Sequence, residues 1–456
     1  MSSVSGVNLS SLLSALGSSS SGIDVASAVS QAMTALSAPE LQWEAEQQTL
    51  ATQTSAINQL QTDVSSLQTS LTALADPAGA LASMTATSSD PSVVDASAAA
   101  GATAGTHVVV VNNIASAASA YSNYVASSST TLTPGSFTLQ VGSGTPTTIQ
   151  IGSGVNTLDQ LASYINGQSV GVTASVVNDS TGSRLAIVSN STGSANGFTV
   201  SAASGLTFTQ TVSQQGQDAS LTVDGIPIDS ASNTVTGAVK GLTLNLVGSD
   251  VGGQVTVTVA PDSTSVETAI ATFVGAYNTA IGDVNTQYTV SATNQEGPLA
   301  GDSTVQMLQD SLLSAGSYSG GGSGVSTLAD LGITMNNDGT LTLNTATLDN
   351  AMQNNFAAVQ NFMQGASSNG FASTLNNQLN NLTEPATGAF TVDLQSISSE
   401  NTDLQDQINT FKTYLNAQQT LLTAQYNQAD ITLQEIPEEE AQINGELGYP
   451  PTTTTS

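Results

Sequence analysis

His107 is the only histidine in the chain and there is no cysteine, so general-base chemistry, imidazole ligation and thiolate chemistry have almost nothing to work with. The run Thr106 to Val111 around it alternates as a strand does, and His107 reads as a strand residue. One G-x-S-x-G match occurs, Gly167-Gln168-Ser169-Val170-Gly171. A nucleophile elbow needs strand, turn, helix and a later histidine; here the order reads helix, turn, strand, and no histidine follows. Asn336-Asn337-Asp338-Gly339 lacks calcium-ligand spacing and reads as an ordinary turn. The Gly-rich stretches have no Lys-Ser or Lys-Thr after them, as a phosphate cradle requires. Glu438 to Glu440, behind Pro437, read as a solvated charge run. The expectation is a chain with no catalytic, cofactor-binding or metal-binding residues, and therefore not an enzyme.

Charge narrows the partners. Three basic residues, Arg184, Lys240 and Lys412, stand against 34 acidic ones, a formal net charge of -31 over 456 residues. Nucleic-acid binding depends on Lys and Arg replacing condensed counterions, so it is excluded, and anionic membrane surfaces are disfavoured for the same reason. No segment has the roughly 18 uninterrupted apolar residues of a membrane span, so membrane insertion is not expected. The opening MSSVSGVNLSSLLSALGSSSSG has no basic n-region, which predicts export, if any, without a cleaved signal peptide. The three basic residues lie far apart in sequence, and from this no helical seam is expected to be selected by opposite-charge pairing.

The elements that would position any site are helical at both ends and β-rich between. From Trp43, apolar residues fall at Leu50, Ile57, Leu60, Val64, Leu67, Leu71 and Leu74, a heptad seam with Gln53 at one position, ended by Asp76-Pro77 and Gly79. That predicts a helix of roughly 45 to 50 Å. A shorter helix is predicted from Ile23 to Leu36, with Pro39 as the break. Near the other end, Leu404, Ile408, Phe411, Leu415, Gln418 and Leu422 repeat the alternation within a window from Val392 to Ile436, roughly 65 Å long if helical. Two long seams at opposite ends invite antiparallel pairing with each other. Trp43, on the first seam, is expected to pack there.

Between residues 82 and 260 short β-branched alternations are bounded by Gly, Ser, Asn and Pro. Strands are predicted at 106–111, 136–141, 147–151, 171–177, 184–189, 198–201, 219–223, 241–247 and 254–260, interrupted by one helix from Thr157 to Asn166. Helical spacing returns at Val266 to Tyr288, Val305 to Leu312, Leu348 to Phe362 and Phe371 to Leu382, with a hairpin turn at Asn337-Asp338-Gly339 and a flexible loop at 316–324.

The fold class is therefore α+β and multidomain: a discontinuous helical bundle or coiled coil formed by both termini, with inserted β-rich domains. The expected divisions are 1–42, an N-terminal segment, disordered and then a short helix; 43–80, the first bundle helix; 81–118 with 219–262, a first β-rich domain; 119–218, a second inserted in the first; 263–390, the returning bundle; 391–447, a C-terminal coiled-coil helix; and 448–456, a flexible tail.

Ser21-Gly22-Ile23-Asp24-Val25-Ala26, the stretch Val110 to Ala120, the helix ending in Ile165-Asn166 followed by two strands, Val223-Asp224-Gly225, Asn233-Thr234-Val235, Gly241 to Leu244, Phe273-Val274 with Tyr277-Asn278, Leu299 to Thr304, and Leu331-Gly332-Ile333 with Asp338 to Leu341 occur in order across the chain. In that order they resemble the flagellar hook-associated protein 2 family, the bacterial flagellar filament cap, and the segment from Leu158 to Ser189 is similar to a repeat shared with flagellins. Residues 1–20, the Pro-Thr end and the scarcity of basic residues depart from the pattern.

The resemblance implies a non-catalytic protein at the distal tip of the flagellum, secreted through the flagellar export channel. It would promote flagellin polymerisation and prevent loss of flagellin monomers. Implied partners are its own copies in a ring, a homopentamer, then flagellin and an export chaperone. Alternatives are another flagellar axial protein, flagellin or a hook-filament junction protein, or a surface adhesin using the β domains. For subunit or flagellin contacts the candidate residues are Ile23, Val25, Val29, Leu36, Leu404, Ile408, Phe411, Leu415 and Leu422, on seams expected to be incompletely covered in a free subunit.

Overall fold

The computed structural model describes residues 24–201, 204, 206–209, 214–290, 296–320, 324–365 and 369–447. The first described element is helix α1, Val25–Leu36, whose N-cap Asp24 accepts from the Ser27 N–H at 3.1 Å. After Ser37 the chain turns at once into α2, Ala38–Ala75, with Pro39 in its first turn, where a missing N–H costs nothing. The predicted break is thus a single residue wide, and α2 starts five residues before Trp43. Its 38 residues span about 57 Å. Leu50, Ile57, Leu60, Val64, Leu67, Leu71 and Leu74 are all buried. On the outer face, which has few charges past Glu46, hydroxyls such as those of Thr52, Thr62 and Thr72 donate to the carbonyl four residues back, at 2.8 to 2.9 Å.

A 3-10 turn at Ala80–Ala82 leads into the β region. Strands β1 (Met84–Ser88), β2 (Val94–Ala98) and β3 (Gly105–Asn113) belong to a first β domain. Strands β4 (Ser119–Ser122), β5 (Gly135–Val141) and β6 (Thr147–Ile151), helix α3 (Leu158–Gly167), and strands β7 (Val172–Asp179), β8 (Gly182–Ser189), β9 (Phe198–Ser201) and β10 (Phe208–Thr209) form a second. The chain then returns to the first with β11 (Ala219–Val223), β12 (Ile226–Ser230), β13 (Thr234–Val239), β14 (Leu242–Leu246) and β15 (Val255–Pro261).

The first domain has an antiparallel sheet ordered β1-β15-β3-β11-β12 and a second ordered β13-β14-β2. Alternate residues of both, among them Val109, Val111, Leu221, Val257, Leu242 and Leu244, share one apolar core. The β11–β12 hairpin turns on Asp224 and Gly225, both at positive φ (50° and 80°), as a two-residue primed turn requires. The second domain pairs β10-β4-β8-β7 and β6-β5-β9, and α3 packs Leu158, Leu161 and Ile165 into the core they share.

Helices α4 (Ser263–Tyr288) and α5 (Ser303–Ala315), the hairpin β16 (Ile333–Met335) to β17 (Leu341–Leu343), and helices α6 (Thr345–Gln364), α7 (Phe371–Thr383) and α8 (Ala389–Glu446) complete the chain. Their buried residues merge with those of α2 into the largest core, centred on Phe273, Tyr277, Phe371 and Phe390. The buried Tyr277 hydroxyl donates to the Leu312 carbonyl at 2.9 Å, and burial pushes its pKa up. Asn355 has non-helical angles inside α6. At 58 residues α8 spans about 87 Å, beyond the window expected from the seam, because the helix continues through Pro437.

Six strands, β1, β2, β4, β10, β12 and β13, stand where the strand pattern predicts none. β2, Val-Asp-Ala-Ser-Ala, and β4, Ser-Ala-Tyr-Ser, are poor in the β-branched residues that mark a strand locally, and β1, Met-Thr-Ala-Thr-Ser, has two threonines but no Val or Ile. β1 is held instead by the distant β15, with Met84 opposite Pro261.

Three asparagines staple these parts together in the same way. Asn166 at the end of α3 gives its amide N–H to Ala174 O at 2.8 Å and accepts from Ala174 N at 2.7 Å. Asn278 on α4 treats Leu341 of β17 likewise (2.8 and 2.6 Å), and Asn233 treats Ala115 likewise (3.0 and 2.6 Å). Each side-chain amide imitates a strand neighbour where none is available. Asn278→Ala leaves both Leu341 backbone groups without these bonds and is expected to lower bundle stability by about 1 to 3 kcal/mol. Denaturant titration of the helical signal measures this. A change below about 0.5 kcal/mol, the size of an ordinary surface substitution, would deny the staple any weight.

Candidate functional site

The residues considered for chemistry are engaged in structural contacts. His107 lies on β3, and its Nδ1 is 2.8 Å from Asp224 Oδ2, while Asp224 Oδ1 accepts from Val108 N at 2.9 Å. These bonds tie β3 to the β11–β12 turn and hold the Asp224 carboxyl below its usual range, His107 contributing most. Ser169 sits at φ 51° in the turn from α3 to β7, in the helix-turn-strand order read from the sequence. Asp338 accepts from Thr340 Oγ1 (2.6 Å) and Thr340 N (3.0 Å), so it is the anchor of the β16–β17 turn, with its pKa lowered chiefly by the Thr340 hydroxyl. Arg184 stacks over Tyr124 at 3.3 Å and Tyr121 at 4.9 Å. Among the described residues no group of three or more His, Asp or Glu is placed to hold a metal ion, and no helix is long and apolar enough to cross a membrane.

The feature left to act is the pairing of the terminal helices. α8 runs antiparallel to α2 and α1, and the contacts fix its register. Gln47 Nε2 donates to Asn401 O and Gln405 Oε1, both at 3.3 Å. Trp43 meets Phe411 edge-on, with centroids 5.3 Å apart. Farther out, Val25, Val29 and Met33 of α1 and Gln419, Thr423 and Asn427 of α8 line a cleft of about 730 Å3.

Lys412 Nζ lies 3.2 Å from Glu40 and 3.4 Å from Glu44. This corrects the expectation that opposite charge selects no seam. The sole basic residue of the terminal helices is spent on this one, one turn from Trp43, and its hydrogen bonds to Glu40 and Glu44 raise its pKa. Those glutamates lie four apart and share a helical face, but their partner is some 370 positions away in sequence.

Of the candidate contact residues, Val29, Leu404, Ile408 and Leu415 are buried within this one chain, and Val25, Leu36, Phe411 and Leu422 are half-buried. Ile23 lies outside the described residues. The seam expected to wait for a partner is therefore largely closed by the chain's own other end. The uncovered part lies in the outer end of the seam read from the sequence and just beyond it, at residues that were not among the named candidates. Ile431, Leu433, Ile436 and Ile443 of α8 are 41 to 56% exposed, and Leu447, just past its end, 66%. The heptad spacing Leu415, Leu422, Ala429, Ile436, Ile443 was there to be read, but the series breaks visibly at Pro437 and the glutamate run.

Comparison with known proteins covers both the helical and β parts. Residues 21–118 match the flagellar hook-associated protein 2 N-terminus family, residues 216–438 the flagellar hook-associated protein 2 C-terminus family, and residues 136–191 the flagellin hook IN motif. The B-type flagellar hook-associated protein 2 of Pseudomonas aeruginosa PAO1 is 28% identical over 415 residues, 83% of this chain and 87% of that protein. Flagellar hook-associated protein 2 of Escherichia coli K12 is 29% identical over 441 residues, 91% of this chain and 93% of that protein. The crystal structure of the flagellar cap protein FliD D1-D2-D3 domains from Escherichia coli superposes with a TM-score of 0.60 at 27% identity, covering 75% of this chain and 99% of that one. The IN motif contains α3 and the Asn166 staple, so the Ile-Asn signature has a structural reason. With its two terminal regions and its fold all matching, the chain belongs to the flagellar hook-associated protein 2 family.

Proposed function

We infer that this chain caps the distal tip of the bacterial flagellar filament, promoting flagellin polymerisation and preventing escape of flagellin monomers. The observation that carries the reading is the match to both terminal regions of the hook-associated protein 2 family around one inserted IN motif, on a cap-protein fold. The rival axial proteins, flagellin and the hook-filament junction protein, draw support only from the IN motif, which spans residues 136–191.

In this reading the protein is exported to the filament tip and works as a ring of identical subunits, five in number, that contacts flagellin; an export chaperone escorts it beforehand. The division into terminal segment, bundle, two nested β domains and terminal coiled coil fits that work. Val25, Val29, Leu36, Leu404, Ile408, Phe411, Leu415 and Leu422 align the two terminal helices, Ile23, outside the described residues, is a further candidate contact, and the exposed apolar residues of α8 from Ile431 to Ile443 meet neighbours. Burial of each such side chain supplies about 1.5 to 3 kcal/mol, enough for several weak contacts to add to a firm but movable one.

Deletion of the gene in its own bacterium tests this. The expected phenotype is hook-bearing cells that release unpolymerised flagellin into the medium, restored by the full chain. Filaments of ordinary length on deleted cells would overturn the reading.

A further inference from the structure

The outer end of α8 carries apolar side chains without cover, together with a charge that restricts what can cover them. Along the heptad positions, Leu415 is buried, Leu422 half-buried and Ala429 exposed, and Ile436 and Ile443 reach 50 and 56% exposure. The cover falls away as α8 passes beyond α1, whose outermost residue, Val25, shares a cleft with Asn427. From Asp430 to Glu446 this stretch of α8 has six acidic residues and no basic one. Two such ends laid against each other would set these carboxylates like against like, so a symmetric pairing of outer α8 with outer α8 is unfavourable. Glu40, Glu44 and Glu46 on α2 and Glu400, Asp403 and Asp406 on inner α8 make those surfaces repel it as well.

One surface of the terminal helices lacks such charge. Neither α1 nor α8 from Thr413 to Ala429 contains Asp, Glu, Lys or Arg, in a chain whose net charge is -31. These two uncharged stretches line the cleft of about 730 Å3, with Val25, Val29 and Met33 as its apolar wall and Thr34, Gln419 and Asn427 among its polar groups. Val25 and Met33 are half-buried, so the wall is still open to a further side chain, and the Thr, Gln and Asn groups can donate to a carboxylate instead of repelling it. The dimensions agree: α1, with 12 residues, is about 18 Å long, and Ile431 to Ile443 spans about the same. The cleft cannot take the stripe of its own chain. One of its walls is α8 itself, and α8 runs unbroken from Ala389 to Glu446, so its outer end points away along the same axis. Stripe and cleft can meet only between two copies.

We propose that in the assembled ring the outer α8 stripe of one copy, Ile431 to Ile443, lies in the α1–α8 cleft of the next copy. The proposal rests on the ring reading above and names the surface that the α8 stripe meets. Because the two surfaces differ, each copy offers its stripe to one neighbour and its cleft to the other. Such a heterologous contact passes head to tail and closes into a ring, whereas a contact between like surfaces stops at a dimer. It also sets an acidic helix end on an uncharged surface, which lets copies of one sign join although the terminal helices hold a single basic residue, Lys412, engaged at Glu40 and Glu44.

The chain has no cysteine, so single introduced thiols report the contact. Full-length Met33→Cys and Ile436→Cys chains are prepared separately, mixed where rings sediment, and treated with a short bis-maleimide. The mixture is expected to give a cross-linked pair with one chain of each kind, which neither variant gives alone. A chain carrying both substitutions is expected to give a ladder that ends at the ring. Thr34→Cys, exposed on the same cleft, takes the place of Met33→Cys if that variant fails to fold. Thr34→Glu is expected to raise the subunit concentration needed for rings about five-fold at low salt, and by less at about 0.5 M salt, with unfolding of the free subunit unchanged. A pair formed by Ile436→Cys alone would place stripe on stripe and overturn the proposal. So would a cross-link within one chain of Leu13→Cys, Ile436→Cys in place of the mixed pair, which would give the stripe to residues 1–23. Rings that sediment intact without the mixed pair would overturn it too and leave the cap reading standing, whereas a parent chain that forms no ring and restores no filaments to deleted cells would overturn both.

Discussion

Phe371→Ala is expected to cost the helical bundle about 3 to 5 kcal/mol, the usual loss for deleting a buried aromatic ring. Phe371 is 1% exposed at the first position of α7. Its ring meets Phe273 edge-on at 5.6 Å, Tyr318 at 5.5 Å and stacks on Phe362 at 5.8 Å, so one side chain joins α7 to α4, to α6 and to the loop after α5. Removing it leaves a cavity on three sides and also forfeits the aromatic edge contacts. For a bundle of this size the melting temperature should fall by roughly 6 to 20 °C. Thermal unfolding followed by the helical signal reads this directly. The two β domains have separate cores and should melt as in the parent. Phe371→Leu, which keeps most of the volume, is expected to lose less than about 1.5 kcal/mol. A Phe371→Ala loss below about 1 kcal/mol would mean that the aromatic group is not the centre of the bundle core.

The aromatic group also marks how far the sequence could be read. Phe273, Phe362 and Phe371 each fall on a predicted helix, since spacing of three and four places an apolar face without reference to what it meets. Their convergence is a tertiary fact, and nothing local encodes it. The same limit explains the strands. Val255 to Val259 alternates and was visible, whereas its neighbour β1 is polar and small and exists because β15 pairs with it from more than 170 positions away. Asn166, Asn233 and Asn278 stood out only as letters of a family pattern; their role required seeing two backbone groups of a distant residue turned toward one amide. Asp63 was hidden for the opposite reason. A single carboxylate beside Leu60 and Val64 passes for a residue at the border of the apolar stripe, and only the folded bundle shows that it is buried, at 6% exposure. The terminal seams were legible as seams. Whether they closed on their own chain or on another was not, because a heptad repeat states the shape of its partner and not its identity.

That last distinction separates two positions on α8. Ile408 is 1% exposed, sealed against α2 within one chain; Ile443 is 56% exposed on the same helix. Aspartate at 408 would place an unpaired charge in the closed seam and is expected to cost at least about 3 kcal/mol, opening the terminal pair. Trp43 is the only tryptophan and touches Phe411, one turn from Ile408, so its fluorescence should report the opening. Aspartate at 443 alters a side chain that already faces solvent, and the free subunit should unfold within about 0.5 kcal/mol of the parent with Trp43 unchanged. If the outer face of α8 meets neighbours, each copy in a ring then loses about 1.5 to 3 kcal/mol of burial and gains a charge on an already acidic surface. Ile443→Asp is therefore expected to give a stable monomer that sediments without a ring and fails to restore filaments to deleted cells. The double change Ile436→Asp with Ile443→Asp should be the more severe, because the two residues lie seven apart on one face. Normal assembly by the double variant would show that α8 beyond Asn427 carries no contact, and would move the interface onto the β domains; loss of assembly with an intact Trp43 signal assigns it to the exposed apolar residues of outer α8.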